Sequence, residues 1–522
     1  SGGQGGGDII IIQKGPFLIG NSMVSGTSGV ITTGNNNTIT PRKLIPDPLF
    51  IQGKITIINQ GDGNNNEGLQ QLIKNTLDKN EGKIENNRGL INILLTDNTR
   101  EITTKNVINS IDEPLTQEFG EYIGKNIAID NLKNPQETLN QITTATGVKP
   151  ALIYVLFTPS GNKIKTKELE KIPIQDTDEL EIIMITGKGN PVRKRIIGVT
   201  RSEVLATAKK LRIAISNSRS DKTYMKPGKQ LYDWIIAPIE KELEGQKINN
   251  LVFLMEGGLR SLPLAALYDG ENFLIEKYSI GLMPSLSITD TNYTDIKTTE
   301  VLAMGSDTFA KETLLQPLPA VSVEINAIAS KVWKGKSFLN EQFTLENLKL
   351  QRQNKPYGII HLATHAEFKP GKLENSYIQL WDGPLRLNKL RELGWDKPPV
   401  ELLVLSACKT AVGDNESELG FAGLAVAAGV KTAMGSLWYV SDEGTLGLMT
   451  NFYAKLKKAP IKSEALRQAQ ISMLRGEVRI ENGKLVTPNG TFDLPPDLAK
   501  LSNMTLSNPY YWSGFVMIGN PW

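Results

Sequence analysis

Cysteine and histidine are the scarcest reactive residues of this 522-residue chain, which contains one Cys and two His. A single Cys excludes a disulfide bond within the chain. Lys and Arg number 58 against 55 Asp and Glu, so the formal net charge is only +3. Such a balance argues against nucleic acid or an anionic membrane as the main partner, because both select for a basic face. No apolar run approaches the length of about 18 residues that a transmembrane helix needs, so no membrane span is predicted.

The remaining composition is that of a folded protein. At 40% hydrophobic and 22% charged residues, the chain has enough apolar side chains to bury a core, and disorder throughout is not expected. The length corresponds to about three domains. The chain starts with a Gly-rich run, without Met or a signal peptide, so we interpret it as a fragment or processed product.

Four segments are predicted along the chain. Residues 1–62 repeat short β-branched runs closed by Gly or Asn, which predicts a β-rich segment of stacked coils or a small sheet. Residues 63–110, rich in Asn, Lys and Glu, are interpreted as a polar, partly ordered linker. Residues 111–225 are expected to form a small α/β region. In residues 226–522, strands alternate with helices, which predicts a mixed, mainly parallel sheet flanked by helices.

The last segment yields specific elements. The predicted strands are Asn250–Met255, Val301–Met304, Gly358–Thr364, Glu401–Ala407, Thr432–Leu437 and Phe515–Ile518. The predicted helices are Ile235–Leu243, Ala320–Val332, Leu419–Ala428, Gly444–Lys457 and Ser463–Leu474. Ser463 is expected to cap the last helix and Gly476 to end it. Asn482-Gly483 and Asn489-Gly490 predict two hairpin turns.

Two predicted strands carry the scarce reactive residues at their ends. One strand leads to His365 and another leads to Cys408, the single Cys. In an open α/β sheet, reactive groups collect beyond the carboxyl ends of the strands. If the two strands are parallel neighbours, the thiol and the imidazole face each other, and an adjacent imidazole favours the nucleophilic thiolate. Backbone N–H groups after Cys408 would then be available as an oxyanion hole.

Two other interpretations of these residues remain open. A lone Cys at a strand end is often a small buried hydrophobe. His361 and His365 are four residues apart and would share one face of a regular strand, as half of a zinc site does, but no further His or Cys is present to complete it.

Several motifs resemble a known family, the CHAT domain. CHAT domains are a caspase-like branch of the cysteine peptidases that also includes separase. The resemblance covers roughly residues 232–522, and its motifs occur in the family's order: Gly257–Leu267, His361–His365, Leu405–Thr410, Gly420–Leu424, Gly435–Trp438 and Asn508–Phe515. Residues 1–62 resemble the last coils of filamentous-haemagglutinin-type adhesins, with an ordinary β-rich end cap as the alternative.

The CHAT resemblance implies a caspase-like fold and assigns roles to four residues. Cys408 is expected to be the nucleophile and His365 the general base that later protonates the leaving amine. His361 is expected to pack or to make a supporting hydrogen bond. The backbone N–H groups of Ala366 and Cys408 are expected to form the oxyanion hole, although caspases have Gly where this chain has Ala366.

The resemblance also suggests a substrate pocket. Metacaspases have an acidic residue where this chain has Ser406, two residues before the Cys. In separase a Leu-Trp strand precedes the acid that faces a P1 Arg. In this chain Leu437-Trp438 is similar, and Asp442 lies four residues after Trp438. A buried carboxylate would favour Arg or Lys. Alternatively, Asp442 or Ser441 caps the next helix. The acidic loop Asp414–Glu418 would either attract a basic substrate or form a solvated helix start.

Taken together, the sequence predicts a bacterial cysteine endopeptidase, secreted or at the cell surface, with a cytoplasmic location as the alternative. Its partners would be a protein or peptide substrate and an activating protein. The motifs imply no cofactor, although calcium remains an alternative. A preference for basic P1 residues and self-processing are finer hypotheses. The basic residues available for self-processing in the polar stretch are Lys74, Lys79, Lys83, Arg88 and Arg100. The alternative function is a non-catalytic signalling or adhesin binding module.

Overall fold

The computed structural model describes residues 9–14, 22–24, 27–29, 55–60, 102–123, 134–159, 174–218, 222–410, 418, 420–421 and 423–522. The chain divides into two compact units. One comprises residues 1–99 and 161–174, and the other comprises residues 100–160 and 175–522.

Four short strands are described in the first unit: β1 (Ile9–Lys14), β2 (Ser22–Val24), β3 (Thr27–Gly29) and β4 (Ile55–Gln60). Strand β1 pairs in parallel with β4, and β2 pairs antiparallel with β3. Most of the other residues predicted to be β-rich, and most of the polar linker, lie outside the described residues. The resemblance to adhesin ends therefore stays a prediction.

The second unit contains the remaining elements. Its strands are β5 (Pro150–Thr158), β6 (Glu179–Thr186), β7 (Val192–Thr200), β8 (Asn250–Met255), β9 (Ser279–Leu282), β10 (Val301–Gly305), β11 (Gly335–Leu339), β12 (Ile359–Phe368), β13 (Tyr377–Leu380), β14 (Gly383–Arg386), β15 (Leu402–Thr410), β16 (Thr432–Ser436), β17 (Arg479–Glu481), β18 (Lys484–Thr487), β19 (Gly490–Asp493), β20 (Met504–Thr505) and β21 (Phe515–Gly519). Its α-helices are α1 (Ile102–Tyr122), α2 (Pro135–Thr146), α3 (Arg201–Ile215), α4 (Met225–Ile235), α5 (Glu240–Gly245), α6 (Leu274–Lys277), α7 (Val321–Asn326), α8 (Leu345–Asn354), α9 (Leu424–Ala428), α10 (Asp442–Leu456) and α11 (Lys462–Leu474).

A large sheet organises this unit. In the described part of the chain it has 13 strands in the order β11-β10-β12-β15-β16-β21-β9-β8-β5-β6-β7, with β13 and β14 added beside β12. Strands β11, β10, β12, β15 and β16 are parallel neighbours, whereas β21 runs antiparallel to β16. The fold is therefore the predicted mixed α/β sheet flanked by helices.

The sheet extends across the boundary predicted at residue 226. Strand β5 pairs in parallel with β8 and antiparallel with β6, so the region 111–225 contributes three strands to the same sheet. The reason lies in β5 itself: residues 151–155 are fully buried, and an apolar strand of this kind needs a partner on both sides. Helix α1 begins at Ile102, inside the segment predicted to be a linker.

Several element boundaries differ from the predicted ones. Strands β12 and β15 continue three and two residues beyond His365 and Cys408, because the β13–β14 hairpin pairs with β12 at Ala366 and extends the ladder. Ser463 was predicted to cap α11 but lies inside the helix, where its hydroxyl accepts a hydrogen bond from Asn250 at 3.2 Å.

Other predicted signals are confirmed. Gly476 follows α11 with a φ of +70°, a conformation that suits Gly and ends a helix. Asn482 and Gly483 both have positive φ and join β17 to β18 in a two-residue hairpin. The predicted helix at 320–332 is α7 continued by a π-helical turn at Ala327–Val332.

In the described part of the chain, no helix has the length and apolarity to cross a membrane.

Candidate active site

Neighbouring strands bring the backbones of His365 and Cys408 close together. β12 and β15 are parallel, and their register places Ala407 opposite His365 and Cys408 opposite Ala366. A register irregularity between Leu362 and His365 interrupts the regular pairing just before this point. The two backbones therefore lie on adjacent central strands, offset by one position, and the predicted approach of the thiol to the imidazole stays a prediction.

The ring of His365 is held by three contacts. Its Nε2 atom lies 2.8 Å from the carbonyl oxygen of Gln316. Since a carbonyl only accepts hydrogen bonds, Nε2 carries the proton and Nδ1 keeps its lone pair. The ring centroid of Phe309 lies 4.9 Å from that of the imidazole. The ring centroid of Tyr439 lies 6.2 Å from that of the imidazole, and the two rings are stacked at an interplanar angle of 24°.

The protonation of His365 follows from these surroundings. Burial lowers the pKa of the imidazole, and the hydrogen bond to Gln316 opposes this only in part. The ring is therefore neutral at pH 7. No hydrogen bond to Nδ1 is present in the described part of the chain, so this atom is available to accept a proton.

Residues 306–320, here called the β10–α7 loop, supply two of these contacts. Phe309 and Gln316 both belong to it. The loop is fixed at its start by Asn340, whose side-chain amide donates to Asp307 at 2.9 Å and accepts from the Asp307 N–H at 3.1 Å. Sequence reasoning missed this loop, because the contact from Gln316 is made by a backbone carbonyl that any residue would provide.

Asp442 lies one contact away from His365. Its carboxylate accepts hydrogen bonds from the hydroxyl of Tyr439 at 3.2 Å and from the N–H of Ala320 at 3.3 Å. Burial raises the pKa of Asp442 to about 6. Ser441 caps helix α10 by accepting from the N–H of Gly444, so the capping alternative applies to Ser441 and not to Asp442.

Ser406 and Trp438, the other two predicted substrate-binding residues, are buried. Their exposed fractions are 2% and 6%. The indole N–H of Trp438 donates to the carbonyl of Tyr510 at 3.0 Å, and a Cβ on Gly514 would lie 2.9 Å from the indole ring. Trp438 is thus packed against Gly514, and its role in substrate binding stays a prediction.

Ala366, predicted to supply an oxyanion N–H, lies within the sheet. It is the ladder partner of Cys408 on one side and of Ile378 in β13 on the other. The sequence predicts that the strand ends before this residue. The strand continues because the β13–β14 hairpin pairs with β12 at Ala366.

His361 has a different environment from His365. It is fully buried, with Nε2 at 2.9 Å from the carboxylate of Glu324 and Nδ1 at 3.2 Å from the hydroxyl of Tyr453. The two His therefore have separate partners. Within the described ranges, no group of three or more His, Cys, Asp or Glu side chains is arranged to hold a metal ion.

Glu418 is the one residue of the predicted acidic loop whose position is described, and it differs from the prediction. Residues 414–417 lie outside the described part, but the Glu418 side chain is completely buried, so it is not part of a solvated helix start. It accepts from Arg212 Nη1 at 3.3 Å, from the N–H of Gly258 at 2.8 Å and from the hydroxyl of Ser261. The spacing of charges along the chain gives no sign that a distant Arg would pair with this residue.

No curated protein matches this chain. Among solved structures, it is similar to separase in two Saccharomyces cerevisiae separase–securin complexes. One has 11% identity and a TM-score of 0.42, and covers 81% of this chain and 34% of the other. The second has 12% identity and a TM-score of 0.32, with coverages of 87% and 27%. The chain thus spans about a third or less of those separase chains.

A third similar structure is the complex of Porphyromonas gingivalis RgpB pro- and mature domains. It has 9% identity and a TM-score of 0.33, and covers 61% of this chain and 75% of that one. The family comparison is more specific, because the CHAT domain matches residues 225–520, more than half of the chain. The match confirms the resemblance of the sequence motifs, and the chain belongs to the CHAT-domain family.

Proposed function

We propose that this protein is a cysteine endopeptidase with Cys408 as the nucleophile and His365 as the general base. The observation that carries the proposal is the pairing of β12 with β15, which puts these residues on adjacent strands, while no described residue makes a hydrogen bond to Nδ1 of His365. Membership of the CHAT family, with its caspase-like fold, supports the same conclusion.

The reaction would proceed through a thioester. The Cys408 thiol transfers its proton to Nδ1 of His365 while the sulfur bonds to the carbonyl carbon of the scissile peptide. The C–N bond then breaks, and His365 returns the proton to the leaving amine. A water molecule, deprotonated by His365, hydrolyses the thioester, and the released thiolate takes that proton back. His365 suits this cycle because burial lowers the pKa of its imidazole, so the ring is neutral when it has to take a proton from the thiol or from the water.

Asp442 is the proposed determinant of a basic P1 preference. Its half-buried carboxylate lies beside Tyr439, which contacts His365. An arriving guanidinium or ammonium group would favour the ionised carboxylate and form a charge-assisted pair with it. We expect Asp442→Asn to lower kcat/KM for a peptide with P1 Arg and to leave that for a matched peptide with P1 Ala unchanged. Equal losses for both peptides would remove Asp442 from this role.

A cleavage profile tests the proposal as a whole. Purified protein is incubated with a diverse peptide mixture, with and without calcium, beside Cys408→Ala. Cuts that require Cys408 support the peptidase, and their P1 residues report its specificity. Intact protein that shortens in the wild type but not in Cys408→Ala, with no peptide cut, would restrict the activity to self-processing. Absence of any Cys408-dependent cut, also after addition of a candidate activating protein, contradicts the proposal.

One observation favours a second function, that of a binding module without catalysis. Ala366 is paired on both sides, so its backbone takes part in the sheet ladder at the place where an oxyanion donor is expected. A caspase-like fold without this donor would be left to bind a protein partner. The cleavage profile separates the two functions, because the binding module would give no cut in any condition.

A further inference from the structure

A buried ion pair connects the region before the CHAT match to the chain just after the proposed nucleophile. Arg212 lies in α3, upstream of the matched residues 225–520, whereas Glu418 lies ten residues after Cys408. Their side chains are 4% and 0% exposed. The pair is thus a contact between parts of the chain more than 200 residues apart, sealed from solvent.

The two side chains share a common set of partners. Arg212 Nη1 donates to Glu418, to the hydroxyl of Ser261 at 2.7 Å and to the carbonyl of Gly258 at 3.1 Å. The carboxylate of Glu418 accepts from the N–H of Gly258 and the hydroxyl of Ser261 as well. A buried carboxylate with this many donors has one favoured position.

A second contact from the upstream region reaches the same part of the chain. A Cβ on Gly420 would lie 2.8 Å from the hydroxyl of Tyr122, at the end of α1, so this side chain lies against Gly420. Helix α1 is itself tied to the CHAT region by Glu118, which binds the guanidinium of Arg260. The upstream helices α3 and α1 therefore lie against Glu418 and Gly420, respectively.

We propose that Arg212 is a positioning residue for the nucleophile, acting through Glu418. The proposal deepens the peptidase function and rests on it. The β15 ladder holds the chain through Thr410, and Glu418 is the next described fixed point after it. The hydrogen bonds to Glu418 therefore fix the end of the segment that begins at Cys408. Misplacement of a reacting group by about 1 Å is enough to cost about 100-fold in rate.

The test uses the single Cys of the chain. Iodoacetamide alkylates only Cys408, so the rate of its reaction, measured by intact mass as a function of pH, reports the thiolate without any peptide substrate. Arg212→Met and Glu418→Gln are expected to slow alkylation about tenfold at neutral pH, the effect of a rise of about one unit in the thiol pKa. Arg212→Lys keeps the charge and is expected to recover part of the rate.

A matched control separates positioning from stability. Glu181 is a buried carboxylate paired with Arg193 between β6 and β7, at the far edge of the sheet from β15. Glu181→Gln removes a comparable ion pair and is expected to lower the unfolding midpoint in urea without changing the alkylation rate or its pH profile. If Arg212→Met and Glu418→Gln do not unfold cooperatively, Ser261→Ala removes a single donor to Glu418 and takes their place.

The outcomes distinguish this inference from the peptidase proposal. Slower alkylation with a shifted pH profile in the Arg212 or Glu418 variants, but not in Glu181→Gln, supports the positioning role. An unchanged rate and pH profile in folded Arg212→Met and Glu418→Gln, or in Ser261→Ala, overturns it. Positioning that is demonstrated while the wild type cuts no peptide would retain the role of Arg212 and contradict the peptidase.

Discussion

Strand β12 contains two histidines four residues apart whose surroundings give them different chemistry. His361 is enclosed by the sheet and two helices, and both of its ring nitrogens have side-chain partners, Glu324 and Tyr453. His365 is half-buried and, among the described residues, has one backbone hydrogen-bond partner at Nε2 and none at Nδ1. A fully satisfied imidazole holds the structure together, whereas one with a free nitrogen and access to solvent is able to transfer protons.

The comparison shows that residue type and strand position alone do not determine a role. The β10–α7 loop contributes to the difference, because its Gln316 carbonyl binds Nε2 of His365 and fixes the tautomer, whereas the partners of His361 lie in α7 and α10. Every property that makes His365 a base comes from residues outside its own strand.

Replacing each histidine by glutamine should separate catalysis from stability. His365→Gln removes the base and is expected to lower kcat/KM by about 10²- to 10⁴-fold, with little change in the unfolding midpoint. His361→Gln is expected to lower the free energy of unfolding by about 1–3 kcal/mol, because it leaves buried polar partners unsatisfied, and to retain activity in the folded fraction. Peptide cleavage and urea denaturation of both variants check this. Equal loss of activity in the two folded variants would contradict the contrast.

Acid should affect His365 in a defined direction. Its folded pKa lies below the unfolded value of 6.5, so the unfolded chain binds the proton first as the pH falls. The stability that the neutral ring contributes is therefore present above pH 6.5 and is lost as the pH falls through the folded pKa. We expect kcat/KM to decline on the same acid side. The urea midpoint of the wild type minus that of His365→Gln, followed from pH 5 to 8, measures the effect, and a difference that grows towards acid pH would refute it.

Asp442 should show the opposite dependence on pH. Its pKa is raised by burial from 3.8 to about 6, so the folded state binds the proton more tightly and loses stability as the pH rises from about 4 to 6. Asp442→Asn removes the buried charge and is expected to raise the free energy of unfolding by about 1–2 kcal/mol at pH 7.5, with a much smaller change at pH 4.5. Urea denaturation at both pH values checks it. A variant less stable than the wild type at pH 7.5 would show that the ionised carboxylate is needed.

Tyr439 should give the smallest effect. Tyr439→Phe keeps the ring beside His365 and loses only the hydrogen bond to Asp442, so kcat/KM should change less than about threefold. Tyr439→Ala removes the ring and is expected to lower kcat/KM by about tenfold, since the imidazole loses a flanking surface. If Tyr439→Phe were as impaired as Tyr439→Ala, the hydroxyl and not the ring would support His365.

The elements that are predictable from sequence are those with a local signal. The strand at Asn250–Met255 is predicted with its observed ends, since it is an uninterrupted apolar run between polar turns. The hairpin at Asn482-Gly483 is also predicted, because few residues other than Asn and Gly accept its positive φ.

Contacts between distant segments are not predictable in this way. The extension of β12 past His365 depends on a hairpin that follows it, and the burial of Glu418 depends on Arg212, 206 residues earlier. The carbonyl of Gln316 carries no side-chain signal at all. The identities of the proposed dyad were therefore accessible from motifs, whereas the surroundings that make His365 a base required the fold.

Covalent labelling with peptidyl acyloxymethyl ketones that vary in the P1 residue, followed by intact mass, tests directly whether His365 activates Cys408. These reagents need both a nucleophilic thiolate and an adjacent acid–base group. We predict a single adduct on Cys408 that forms rapidly in the wild type and in His361→Gln, and slowly in His365→Gln. Labelling at the same rate in the wild type and in folded His365→Gln would show that His365 does not activate Cys408 and would contradict the account.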